Sequence, residues 1–138
     1  MLIGAFDNDW TPRLMQNLPY RLERPNNGEL FQIVDAKSPN PSVYQLDMTM
    51  PYTQFTQGYG IVARFVSNVT NQPTIVVGGL AANGTTAATR MIRSESLFAD
   101  ARTSLPPDWR QKNLEILVAT QVIDGKPGPP KILGVHTW

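Results

Sequence analysis

The sequence predicts a single α/β or α+β domain, built on a mixed β-sheet of five to seven strands with the central strands parallel. Two to three helices are expected to flank the sheet. Residues 2–18 and 74–93 each read as an apolar strand, a loop and a helix, and a strand–helix–strand order favours a right-handed parallel crossover. The strands are apolar on both faces, which is typical of a sheet covered by helices. The 138 residues suit one domain, and the apolar start suggests a piece of a longer protein.

The first strand is the short apolar run at residues 2–6. Thr11 and Pro12 then predict the start of a helix, because threonine is a good N-cap and proline fits the first helical position. The helix has to end before the next proline. Residues 20–23 and 30–35 predict a pair of strands, because a Pro-Asn-Asn-Gly turn lies between them.

The middle of the chain contains the most apolar strands. A break is expected at residues 38–42 and a further strand at residues 43–48. Residues 61–67 and 74–80 are rich in β-branched and aromatic side chains, which favour strands. The turn residues between them predict that these two strands form a hairpin.

Two helical segments are expected after the strand at residues 74–80. Residues 83–84 read as an Asn-Gly turn, followed by an alanine-rich helix with Thr85 or Thr86 as its cap. A second helical segment is expected at residues 94–105, before a proline pair interrupts the pattern.

The chain ends in a predicted β-hairpin. Residues 113–123 form a long apolar strand, and residues 131–138 form its partner. The Gly- and Pro-rich turn between them restricts the unfolded chain and fixes the register of the two strands.

Composition excludes several classes of function. The net charge of +1 and the lack of a basic run exclude nucleic acid as an implied partner. No apolar stretch approaches the roughly 18 residues of a membrane span, so this segment is not expected to insert into a membrane. The absence of cysteine removes thiol chemistry, and the single histidine, His136, excludes a histidine-cluster zinc site. No cofactor is expected, and the compartment stays open between cytoplasmic and extracytoplasmic.

The stretch Asp-Asn-Asp-Trp-Thr after the first strand allows a catalytic interpretation. Asp7 would be the nucleophile and Asp9 the general acid of a small Mg²⁺-dependent phosphatase or phosphotransferase. That chemistry needs further carboxylates downstream to hold the metal. After Thr120, where a supporting strand ends, the only acidic residue is Asp124, so the pattern is incomplete.

The same stretch has a structural interpretation, which we favour. Asp7 and Asn8 would form the turn after the strand, Thr11 would cap the helix, and Trp10 would pack beneath it. In that case Asp9 has no specific task.

A glycine-rich loop at residues 78–86 is the second candidate site. Glycines between a strand and a helix can bring backbone N–H groups close to an anion, so Gly79, Asn83, Gly84 and Thr85 could cradle a small ligand. The spacing matches neither a dinucleotide fingerprint nor a P-loop. A tight turn with a helix cap is the simpler interpretation.

Arg64 lies within an apolar strand. If its side chain faces inward it needs an acidic partner, and Asp7 or Asp9 would serve; if it faces outward it is an ordinary surface residue. The alternation of the strand does not decide between these two. His136 is expected to be packed or exposed, without a catalytic task.

Several segments together resemble an uncharacterised bacterial domain that recurs at the carboxyl end of longer soil-bacterial proteins. The resemblance covers nearly the whole chain and implies attachment to a membrane-spanning or signalling module. Such sequences usually carry a glycine where Ala81 stands and a non-acidic residue in place of Asp9. The motifs that carry the resemblance are Asn-x-Trp-Thr near the start, Thr-Gln-x-Tyr-x-x-Val-x-Arg-Phe at residues 56–65, Gly-Thr-x-Ala-Ala at residues 84–88 and Val-Ile-Asp-Gly-x-x-Gly-Pro-Pro near the end.

The sequence thus predicts a non-enzymatic sensory or ligand-binding domain of a bacterial signalling protein. The ligand would lie at the loops that follow residues 2–6 and 74–80, since open α/β sheets bind ligands where such loops meet. Alternatives are the phosphatase and a protein–protein interaction module, and an oligomer is compatible with either. The predicted ligand-binding residues are Asp7, Asn8, Trp10, Thr11, Arg64, Gly79, Asn83, Gly84 and Thr85.

Overall fold

The computed structural model describes residues 1–38, 40 and 42–138. The predicted break at residues 38–42 falls partly on Pro39 and Pro41, which lie outside the described residues. The strands and helices of the described chain are β1 (Leu2–Ile3), α1 (Trp10–Met15), β2 (Tyr20–Glu23), β3 (Leu30–Asp35), β4 (Ser42–Asp47), β5 (Gln57–Val66), β6 (Pro73–Gly79), α2 (Ala81–Arg93), α3 (Glu95–Thr103), β7 (Leu114–Ile123), β8 (Lys126–Pro127) and β9 (Lys131–Thr137).

A six-stranded sheet forms the middle layer, in the order β1–β6–β5–β7, with β8 and β9 both paired to the outer side of β7. A mixed α/β fold and a mixed sheet of this size were expected, and the expected C-terminal hairpin is present as β7 and β9. The parallel centre was wrong. Only β1 and β6 are parallel, whereas β5 is antiparallel to both of its neighbours.

The physical reason for this difference lies in the connections. The predicted hairpin of β5 and β6 is confirmed, and its turn is too short for the crossover that parallel strands require. The strand that follows α1 does not return to the central sheet. Instead β2, β3 and β4 form a separate three-stranded antiparallel meander.

The central sheet separates two apolar cores. On one face, the side chains of Ile61, Ala63 and Phe65 in β5 pack with residues of α1 and the meander, such as Met15 and Ile33. We call this the meander face. On the other face, which we call the helix face, side chains of the same strands pack against α2 and α3. The strict alternation of β5 therefore serves two separate layers.

Helix α2 lies unusually close to the helix face. A Cβ atom on Gly84 would stand 1.9 Å from the carbonyl oxygen of Tyr59, and a Cβ atom on Gly60 would stand 2.4 Å from the carbonyl oxygen of Gly84. Asn83 and Gly84 therefore lie inside α2, and the predicted Asn-Gly turn with a cap at Thr85 or Thr86 was wrong. Glycine here allows close helix–sheet packing instead of a turn.

Candidate functional site

The loop after β1 is organised by Asn8. Its Oδ1 atom accepts hydrogen bonds from the backbone N–H groups of Trp10 and Thr11, at 3.0 and 2.9 Å, and from the Thr11 hydroxyl at 3.2 Å. These bonds satisfy free donors at the start of α1, as a capping side chain does. Asn8 and not Thr11 is therefore the capping residue, because α1 begins at Trp10, one residue before Thr11.

The expected packing of Trp10 beneath the helix was wrong, and Thr11 is buried instead. Trp10 is 54% exposed and does not pack beneath the helix, whereas Thr11 is fully buried. The bond to Asn8 gives the buried Thr11 hydroxyl its partner. In this stretch Asn8 therefore caps the helix, Thr11 packs in the core and Trp10 lies at the surface.

The carboxylate of Asp7 folds back over the backbone of Gly4. A Cβ atom on Gly4 would stand 2.2 Å from Oδ2 of Asp7, and Gly4 has a φ of +95° that suits glycine. Asp7 is exposed, and among the described residues its carboxylate accepts no hydrogen bond and joins no ion pair.

Asp7 faces a cavity of about 340 Å³ at the ends of the two parallel strands. Two phenylalanine rings, Phe6 and Phe31, form an apolar side of the cavity with a centroid distance of 4.6 Å. Arg24 lies over the Phe6 ring, with its Cζ atom 5.0 Å from the ring centroid. The cavity is lined by Phe6, Asp7, Phe31, Gly79, Ala81, Ala82, Thr85 and Thr86.

Two hydroxyl groups complete this cavity. The Thr85 hydroxyl makes a long bond of 3.4 Å to the carbonyl of Ala81, and the Thr86 hydroxyl has no hydrogen bond to any other part of the chain that the structure describes. The cavity thus combines one free carboxylate, two hydroxyls and an aromatic wall. This is a mixture of a few polar groups with apolar surface, as is common in small-molecule sites.

The structure brings three of the predicted ligand-binding residues to this cavity, namely Asp7, Gly79 and Thr85. Asn83 and Gly84 face the sheet instead of the cavity. Asn83 is 4% exposed, and its Nδ2 atom has no partner among the described residues.

Arg64 lies away from the cavity. Its guanidinium donates to the carbonyl oxygens of Trp109 and Lys112, at 2.6 and 2.7 Å, and lies over the Trp109 ring. The expected alternative of a partner at Asp7 or Asp9 was wrong, because β5 points this side chain to the helix face. Two backbone carbonyl groups, and not a carboxylate, are the hydrogen-bond acceptors for the Arg64 guanidinium.

Ala81, the first residue of α2, has a φ of +57°. This left-handed conformation costs an L-residue roughly 1–2 kcal/mol. Glycine would adopt this conformation freely. The backbone turn from β6 into α2 is therefore formed in this chain at some cost in stability.

A buried polar cluster between the two sheets was not predicted. Glu115 on β7 is fully buried on the meander face, and its Oε2 atom accepts the backbone N–H of Tyr20 at 2.8 Å. Its Oε1 atom has no partner among the described residues. Burial raises the pKa of Glu115 to about 8, against the lowering effect of the Tyr20 bond.

His136 lies at the edge of this cluster, cross-strand from Glu115. It packs on the Tyr20 ring and its Nε2 atom lies 3.0 Å from Oδ1 of Asp35. Burial also raises the pKa of Tyr20, with smaller contributions from nearby Asp35, Tyr44 and Glu115. One sequence signal could have found the cluster, since Glu115 interrupts an otherwise apolar strand.

Other features limit the chemistry of the described chain. No three His, Cys, Asp or Glu side chains come together there as a metal site would need. No described helix is both long and apolar enough to cross a membrane.

Comparison with known proteins found no matching family model, no similar curated protein and no similar solved structure.

Proposed function

We propose that this chain is a non-enzymatic ligand-binding domain of a signalling protein, with its ligand in the cavity between the β1 loop and the start of α2. The observation that carries the proposal is Asp7, which lines the cavity and whose carboxylate has no hydrogen bond or ion pair with another described residue. A charged group kept without a structural partner beside a cavity suggests a task in binding. The signalling context rests on the sequence resemblance alone.

The lining favours a small organic cation with an apolar body. A carboxylate accepts hydrogen bonds and attracts positive charge. Phe6 and Phe31 offer apolar contact, and because the Arg24 guanidinium already lies over the Phe6 ring, the aromatic face for a cationic ligand is that of Phe31. A cavity of about 340 Å³ limits the ligand, or the part of it that enters, to a small molecule.

Phenethylammonium is a suitable probe, since it joins one ammonium to one phenyl ring. We expect it to shift the backbone amide resonances of Gly79, Ala81 and Ala82 in a ¹H–¹⁵N NMR titration, whereas the uncharged 2-phenylethanol should bind more weakly. Asp7→Asn should weaken phenethylammonium binding about tenfold, because a charge-assisted hydrogen bond contributes roughly 1.5–3 kcal/mol.

Asp9→Asn is the matched control, because Asp9 is exposed, lies two residues away and does not line the cavity. Equal binding to the wild type and to Asp7→Asn would contradict the proposal. The phosphatase alternative is tested with p-nitrophenyl phosphate and MgCl₂. Hydrolysis that Asp7→Asn abolishes and Asp9→Asn impairs would replace the binding domain with an enzyme.

A further inference from the structure

A second and larger concavity lies on the outer side of α2. It is a groove of about 800 Å³ between α2, the start of α3 and the segment at residues 127–130. One wall consists of polar groups on α2, and the facing wall consists of the proline rings of residues 127, 129 and 130. Leu97 of α3 adds to the apolar surface.

The charge of this groove has one sign. Arg90 and Arg93 line it, and none of the described residues in its lining is Asp or Glu. The two arginines are three positions apart on α2, so they lie on neighbouring parts of one helix surface. Their guanidinium groups are permanently charged and match the geometry of a carboxylate.

Arg90 is held in place by the opposite wall. Its Nη1 atom donates to the carbonyl oxygens of Pro127 and Gly128, at 2.9 and 3.3 Å. The same wall is fixed from behind, since the buried Thr120 hydroxyl donates to the Gly128 carbonyl at 2.8 Å. One guanidinium is therefore ordered before any ligand binds, which reduces the entropy lost on binding.

The guanidinium group of Arg93 is available to a ligand. It makes no ion pair or hydrogen bond with another described residue, and it is exposed at the end of the groove. Arginine side chains on a helix point back towards the N-terminus, so Arg93 reaches towards the groove and Arg90.

We propose that this groove binds a carboxylate that is attached to an apolar group. The two guanidinium groups take the carboxylate, and the proline rings and Leu97 bury the apolar part. An apolar wall suits such an acid better than it suits a small inorganic anion, which would lose hydration without gaining contact. Two sources share this chemistry, namely a free apolar acid and the C-terminus of a peptide with apolar last residues.

The test uses the intact chain and defined probes. Hexanoate represents the free acid and N-acetyl-leucyl-leucine the peptide C-terminus, while hexanol and inorganic phosphate each lack one of the two required features. We expect at least one of the acids to shift the amide resonances of Thr89, Arg93 and Leu97, which line this groove and not the other cavity, with about tenfold tighter binding than hexanol or phosphate. The acid that binds more tightly identifies the source.

Arg93→Gln should weaken acid binding about tenfold with little change in the melting temperature, since Arg93 makes no hydrogen bond or ion pair with another described residue. Arg102→Gln on α3 is the control, because Arg102 is exposed and lies outside the groove. The proposal is wrong if neither acid binds, if hexanol or phosphate binds as tightly as the acids, or if Arg93→Gln binds them unchanged. Phenethylammonium binding and its loss in Asp7→Asn report on the other cavity, so the two proposals fail separately.

Discussion

The two faces of the central sheet are held to their neighbouring layers in different ways. On the helix face, α2 is separated from the sheet by little more than glycine and alanine, including Gly60, Gly84 and Ala88. On the meander face, bulky apolar side chains surround a fully buried carboxylate, Glu115. Steric fit therefore decides the stability of the helix face, whereas the meander face also depends on protonation.

The largest effect is expected on the helix face. Gly84→Ala places a Cβ atom 1.9 Å from the Tyr59 carbonyl oxygen, which neither backbone can accommodate without a shift of α2. Overpacking of this kind typically costs about 1–3 kcal/mol and occasionally more, and contact with backbone puts this variant at about 3 kcal/mol or above. Urea unfolding of the variant and the wild type measures this loss in the free energy of unfolding.

Gly128→Ala is the control for this variant, because the nearest atom to its Cβ would be 3.4 Å away, an ordinary contact. If Gly84→Ala were as stable as Gly128→Ala, the close approach of α2 to the sheet would be wrong.

A pH dependence should distinguish the meander face. The pKa of Glu115 is raised to about 8 in the folded protein from 4.5, so the folded state binds its proton more tightly than the unfolded state does. Between about pH 4.5 and 8 the free energy of unfolding therefore falls as the pH rises, and above pH 8 this contribution is constant. We expect a loss of a few kcal/mol across this range.

Glu115→Gln should remove most of that slope and be more stable than the wild type at pH 9, since an amide has no charge to bury. Glu29→Gln, at an exposed position, is the matched control and should keep the slope. Thermal unfolding from pH 5 to pH 9 measures both variants. Parallel pH profiles of wild type and Glu115→Gln would show that Glu115 is not the titrating group.

A smaller effect is expected at α1, which covers part of the meander face. Asn8→Ala removes the side chain that accepts two backbone N–H groups and should cost about 1 kcal/mol. Asp9→Ala, next to it, should be nearly silent because Asp9 makes no side-chain cap. Chemical unfolding compares the two, and an equal loss in both would contradict capping by Asn8.

The smallest effect is a gain at the first residue of α2. Ala81→Gly relieves the left-handed backbone at φ +57°, while it increases the entropy of the unfolded chain by less. We expect a net stabilisation of about 0.5 kcal/mol. Ala82→Gly is the control and should be destabilising, since Ala82 is within the first turn of the helix and has no positive φ.

Much of the local structure was predictable from the sequence. The apolar runs located the strands, and the turn residues located the hairpins of β2 with β3, of β5 with β6 and of β7 with β9. Thr11 and Pro12 located the start of α1 to within two residues. These features are decided by short-range preferences of the backbone and by hydrophobic periodicity, which any stretch of sequence displays directly.

For the candidate site, the sequence could only supply the residues. It placed Asp7 after one strand and the pair Gly79 and Thr85 after another, and these do meet at one cavity. The aromatic side of that cavity was missed, because Phe31 comes from the meander, whose position over the sheet no local pattern reveals.

The tertiary structure alone decided that β2, β3 and β4 form a sheet of their own, where α2 begins and which groups pair with the buried charges. Asn-Gly favours a turn locally, but Gly84 lies inside a helix because only a residue without Cβ fits against Tyr59. Arg64 donates hydrogen bonds to backbone carbonyls and does not pair with Asp7. Glu115 is buried beneath the meander, which is distant in sequence and supplies the Tyr20 N–H group. Each outcome depends on contacts between segments far apart along the chain. The amino-acid types alone show that a buried charge needs a partner, but they do not show which distant group becomes that partner.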